Sequence, residues 1–172
     1  MEQELRRVYY DPELGVEACL FQGIDQGFPE HFHTYYVIGT MDRGSREVTI
    51  AGETLRLAPG ELVFFQPGEP HACRPVGEER LDWRGLHVPQ EVMERAAEAV
   101  TGSQFAPHFT PSVLPGSELT SLFREVWGAG SGGAGGAPPG GGLSPAGGPP
   151  AGALRRLSPA AGGGAARGAG GV

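Results

Sequence analysis

The chain has 172 residues, 30 of them Gly and 16 Pro, with 20 acidic against 13 basic side chains and a net charge of −7. All 20 carboxylates and 10 of the basic residues precede Gly128, so residues 1–127 carry −10, and binding to DNA or RNA by this chain alone is not expected. Two cysteines, Cys19 and Cys73, read as reduced thiols; the charged start Met1–Arg7 offers no signal-peptide core and no stretch approaches a membrane span, so a cytoplasmic protein is expected.

Residues Arg7–Tyr10 form a short aromatic piece before the turn signal Asp11-Pro12. Glu2–Tyr10 reads as a mobile arm or a disordered terminus. Gly15–Gln22 is a predicted strand, and Gly23–Pro29 a loop. His33–Met41 is aromatic and β-branched, hence a strand, closed by a hairpin-type turn at Asp42-Arg43-Gly44. Ser45–Ile50 and Thr54–Leu57 alternate polar and apolar around the turn Ala51-Gly52-Glu53. Glu61–Phe65 is a buried strand, His71–Cys73 follows a turn, and Arg80–Val88 is a further strand. Short strands punctuated by Gly and Pro describe a mainly β antiparallel sandwich or barrel.

The periodicity then changes. Pro89–Val100 opens on Pro and sets Val92, Ala96 and Ala99 on one face, the mark of a helix. Pro107–Pro115 is extended. A second helix, 117–127, has Ser117 as N-cap and Leu119, Leu122, Phe123, Val126 and Trp127 as an apolar stripe, either a dimer seam or a face packed on its own barrel. From Gly128 on, 35 of 45 residues are Gly, Ala or Pro, a composition that cannot offset its ordering entropy, so residues 128–172 form a low-complexity tail expected to be disordered. The domain therefore spans 1–127.

The histidines carry the chemistry. His31, His33 and Tyr35 share one strand face by parity, and His71 follows the turn Pro67-Gly68-Glu69-Pro70. Three imidazoles in one pocket hold a divalent metal or grip a polar ligand. Val63 and Phe65 supply an apolar wall, and Trp83 a ring to stack a sugar or aromatic face, with plain core packing as the bland alternative. Cys73 is a fourth ligand or a small buried hydrophobe. His87 reads as a half-exposed strand residue, and His108 carries no pattern.

This arrangement resembles the cupin superfamily: His31, His33 and Gly44 match its first motif, and Gly60, Gly68 and His71 its second. Val37 (or Ile38) stands where metal cupins place a Glu, Pro67 is shifted by one, and Pro75 replaces an Asn. The stretches His31–Gly39, Gly60–Cys73 and Trp83–Val88 are similar to the N-terminal sensor domain of AraC-type transcription regulators, over about residues 15–127. That resemblance implies a cupin-like jelly roll (double-stranded β-helix) with two C-terminal helices. It further implies a pocket for a small-molecule effector, such as a sugar, lined by His31, His33, Tyr35, Phe65, His71 and Trp83. It implies homodimers through helix 117–127, no catalytic residues and no cofactor. The family's helix-turn-helix half has no counterpart after Trp127, and the Gly, Ala, Pro and Arg of the tail are what GC-rich codons give in a shifted frame or truncation entered near Gly128. The rival is a stand-alone metal cupin enzyme, a dioxygenase or isomerase, with a divalent metal on His31, His33 and His71.

Overall fold

The computed structural model of the protein describes residues 3–116, 118–131 and 155–156. The strands are β1 (Leu5–Asp11), β2 (Val16–Ile24), β3 (Phe28–Phe32), β4 (Tyr36–Arg43), β5 (Arg46–Ile50), β6 (Glu53–Leu57), β7 (Leu62–Phe65), β8 (His71–Pro75), β9 (Leu81–Val88), β10 (Val113–Leu114) and β11 (Arg155–Arg156). Two helices, α1 (Gln90–Thr101) and α2 (Glu118–Gly130), flank β10 in the chain. A six-stranded sheet, β1-β2-β9-β4-β7-β10, faces a five-stranded one, β11-β3-β8-β5-β6. Every pairing is antiparallel. This is the expected cupin-like jelly roll with two trailing helices.

Strand alternation splits the large sheet's side chains between two cores. Val37, Met41, Val63, Phe65 and Leu81 meet Val48, Ile50 and Leu57 of the small sheet in the interior. Residues of opposite parity, Ala18, Tyr36, Leu62, Leu86 and Val88, pack beneath Phe123 and Trp127 of α2. A register shift between Phe21 and Ile24 returns Ile24 to the inner core. The helix is fastened by the indole of Trp127, which donates to the Cys19 carbonyl at 3.1 Å, and by Arg84, whose guanidinium lies 4.6 Å from the Trp127 ring. Its outward residues Leu119 and Leu122 are 50% and 55% exposed.

The structure corrects five local expectations. Leu5–Asp11 is an edge strand paired along its whole length with β2, not a free arm. The 23–29 segment is not all loop, because β2 runs on to Ile24 and β3 begins at Phe28. No single strand runs through His33: β3 ends at Phe32, β4 starts at Tyr36, and residues 33–35 are the corner between the two sheets. Gly44, with φ +84°, is likewise a corner rather than a hairpin turn, since β4 and β5 lie in different sheets. The hairpin is instead β5–β6, where Ala51 (φ 50°) and Gly52 (φ 86°) make the two-residue connection with left-handed backbone that suits sheet twist. Helix α2 extends past Trp127 to Gly130. The expected Ser117 cap, and the expected disorder of the tail from 132 on apart from 155–156, lie outside the described residues.

Gly39 of β4 shows how tightly the interior is filled. A Cβ there would collide with the Trp83 ring, and one at Gly85 with the Trp83 Nε1 at 2.6 Å. Gly39→Ala is expected to cost about 1–3 kcal/mol, as overpacked cores do, seen as a lower melting temperature that Trp83→Leu partly restores. An unshifted melting curve would remove Trp83 from that position.

Candidate functional site

The corner His33-Thr34-Tyr35 is pinned from below, where the Gly68 amide donates to the His33 carbonyl at 2.7 Å. That bond joins the corner to the turn after β7, the turn that delivers His71. On the small sheet His31 sits directly across from His71 in the β3–β8 ladder. Ring centroids of His31 and His71 are 4.4 Å apart, of His31 and His33 4.9 Å, and of His33 and His71 5.0 Å. Phe65 stacks on His71 at 4.0 Å, and Tyr35 on His33 at 4.8 Å. Five of the six residues expected to bind ligand thus meet in one cluster. The parity argument for His31, His33 and Tyr35 reached the correct cluster through an incorrect strand; a turn, not a pleat, brings the rings together.

Trp83 sits on the same inward-facing row of β9 as Gly85, lying across Gly39 and Gly85 and packed against the inner core. Further along that row is His87, which sequence reasoning missed. Its ring lies 4.8 Å from Tyr35 and 6.2 Å from His33. Behind it, Cys19 Sγ approaches His87 Nε2 at 3.4 Å and the Glu17 carboxylate approaches Nδ1 at 3.2 Å. The available signal was parity with Trp83 across a glycine too small to shield the interior. The His87 hydrogen bond holds the Glu17 carboxyl below its usual range.

Burial holds two of these imidazoles neutral. Burial, with the neighbouring imidazoles, lowers His33 to about 3, and burial lowers His71 to about 4. Desolvation also pushes the Tyr35 phenol upward. No Asp or Glu is among the described buried residues. Carbonyl oxygens only accept, so His31 Nδ1–H donates to the Pro29 carbonyl at 2.7 Å and His71 Nδ1–H to the Glu69 carbonyl at 2.9 Å. The His71 ring, held neutral by its burial, then keeps its Nε2 lone pair. Meanwhile His33 Nδ1 and the Tyr35 hydroxyl are buried without a hydrogen-bond partner, an arrangement that costs about 1–3 kcal/mol per group unless something supplies the bond. The site therefore offers acceptor nitrogens and a phenolic donor between ring walls.

The same nitrogens fit a divalent metal. One ligand atom from each of His31, His33 and His71 lies within 4.8 Å of the others, and histidine ligands commonly donate their second nitrogen to a carbonyl, as two do here. Cys73, on the same strand as His71, is outside that set, and burial raises its thiol to about 11. At the Glu position of metal cupins, Val37 is buried on the inner face, across from Phe65 and His87.

The chain is similar to several known proteins. Residues 14–136 match the family profile described as the AraC-like ligand binding domain. The uncharacterized HTH-type transcriptional regulator YbfI of Bacillus subtilis (strain 168) is 39% identical over 126 residues, covering 73% of this chain and 46% of that protein. The chain thus spans about half the length of this relative. Among solved structures, a conserved protein of unknown function from Streptococcus pyogenes is 26% identical, with TM-score 0.44 over 52% of this chain and 76% of that one. A cupin superfamily protein from Desulfitobacterium hafniense is 16% identical, with TM-score 0.44 over 51% and 79%.

Proposed function

The chain belongs to the AraC-like ligand binding domain family, and from that premise we propose that it senses a small molecule for a transcription regulator of the AraC type. The observation that carries this reading is the buried ring cluster with its unsatisfied His33 Nδ1 and Tyr35 hydroxyl. A neutral polar effector such as a sugar can donate to the free imidazole nitrogens, accept from Tyr35 and stack on the ring walls. Binding would favour one conformation of the domain over another, and the readout at the promoter belongs to a helix-turn-helix half. On this reading the domain is cytoplasmic and non-catalytic. It works as a homodimer, with Leu119, Leu122 and Val126 of α2 as apolar contact surface.

The test is a thermal-shift screen across sugars, small aromatic acids and organic acids. At least one compound is expected to raise the melting temperature, and His33→Ala or Tyr35→Phe to abolish that rise while leaving the fold intact. A hit whose shift survives both substitutions places the effector elsewhere and defeats the reading.

A second reading, a metal-dependent cupin enzyme, is favoured by the carbonyl-tethered His31 and His71. There His31, His33 and His71 would hold the metal, which when bound supplies Lewis acidity.

A further inference from the structure

We propose that the effector is a primary amine and that His31, His33 and His71 receive its ammonium group. This rests on the pocket reading above and narrows its ligand class. One nitrogen from each ring lies within 4.8 Å of the others. In the widest triangle this allows, a central atom sits about 2.8 Å from each corner, the length of a charge-assisted hydrogen bond. Zinc holds imidazole nitrogens at about 2.0–2.1 Å, so two nitrogens on one ion stand at most about 4.2 Å apart. From that width the rings would have to close in on a metal, whereas an ammonium nitrogen fits the triangle as it stands.

Hydrogen-bond chemistry selects the amine. His31 and His71 each donate Nδ1–H to a backbone carbonyl, of Pro29 and of Glu69, which commits that nitrogen and leaves Nε2 for a ligand. His33 Nδ1 is buried with no partner. Burial holds His33 and His71 neutral at pH 7, so each brings a lone pair rather than a second charge. A primary ammonium carries three N–H donors on one atom and can answer three acceptors at once. A hydroxyl carries one donor, and a quaternary ammonium carries none.

Ring faces and charge point the same way. Tyr35 stacks on His33 at 4.8 Å and Phe65 on His71 at 4.0 Å, and aromatic faces of this kind attract a cation. The Glu17 carboxylate stands behind His87, whose ring is 6.2 Å from His33. The chain has no lysine. The one buried arginine among the described residues, Arg46, lies at the far end of β5, where it pairs with Pro75 while Ile50 pairs with His71. Its guanidinium is taken up by the carbonyls of Ser45, Glu79 and Ile24. An anionic effector at the rings would therefore lack a buried guanidinium partner.

Histidine side-chain NMR and calorimetry of the full chain, at constant pH and ionic strength in chelator, test this with matched probes: methylammonium against tetramethylammonium, and benzylamine against benzyl alcohol. Both primary amines are expected to move the His31, His33 and His71 resonances saturably, and tetramethylammonium to leave them in place. Benzylamine is expected to bind at least tenfold more tightly than benzyl alcohol. His71→Gln, and His31→Ala at a half-exposed position, should each weaken benzylamine at least tenfold. Benzyl alcohol binding at the rings as tightly as benzylamine overturns the ammonium assignment and leaves the effector pocket standing. Primary amines that leave all three rings unmoved also overturn it, and a sugar from the thermal screen that still moves them would keep the pocket reading intact.

Discussion

Acidifying the metal-free protein from pH 7 to 5 is expected to strip on the order of 4 kcal/mol from its stability, from two buried histidines alone. In the folded state His33 and His71 take up protons only near pH 3 and 4. In the unfolded chain they do so near 6.5, the ordinary value. Between those limits the unfolded state binds more protons, so stability rises with pH; it is intact above about 6.5 and declines as pH falls toward the folded values. Each group contributes about 1.4 kcal/mol per pH unit inside that window. His31, Tyr35, Phe65 and His87 press on the pair, and no described carboxylate is buried beside them to welcome the proton. Urea midpoints at pH 7, 6 and 5 in chelator should fall steadily for the wild type. They should fall much less for a His33→Gln/His71→Gln double variant. Equal slopes in the two proteins would mean that these rings are not held neutral.

The second large effect concerns Val37. Val37→Glu would place a carboxyl on the inner face beside Phe65, whose ring stacks on His71. Without a partner that buried acid costs several kcal/mol. With zinc bound to His31, His33 and His71 it becomes a fourth ligand and offsets charge. The variant is therefore expected to melt well below wild type in chelator and to recover on adding zinc, by about 2.7 kcal/mol at a hundredfold excess over the dissociation constant. Wild-type protein, with valine there, is expected to purify with far less than one metal per chain. A wild type holding one equivalent through chelator treatment, lost in His33→Ala and His71→Ala, would shift the balance to the enzyme reading. A Val37→Glu protein indifferent to both chelator and zinc would show that this position does not reach the imidazoles.

Most of the fold was legible because its strands follow simple physical rules. β5, β7 and β9 alternate or run apolar between glycine and proline turns, and each was placed within a residue or two. The failures have local causes. Phe28–Phe32 contains Pro29, Glu30 and His31 and is only half-buried, so nothing in its pattern separates a strand from a loop. Conversely, HTYYVIG reads as unbroken strand although the chain turns a corner at 33–35, because aromatic side chains suit both the corner and the pleat. The edge strand β1 was obscured by its charges, since pattern reading rewards burial and an edge strand has little. The site was legible to the extent that its histidines are close in sequence. His87 joins it from a distant strand through inward parity, which becomes informative only once β9 is known to lie beside β2 and β4.

The central claim is that the imidazole and tyrosine rings at the sheet corner receive the effector. Long-range 1H–15N NMR spectra of the histidine side chains, recorded as the best compound from the thermal screen is added, test it most directly. The expected result is that the His31, His33 and His71 resonances move together and saturably, with exposed His108 unmoved. Saturable binding that leaves all three unchanged would contradict it.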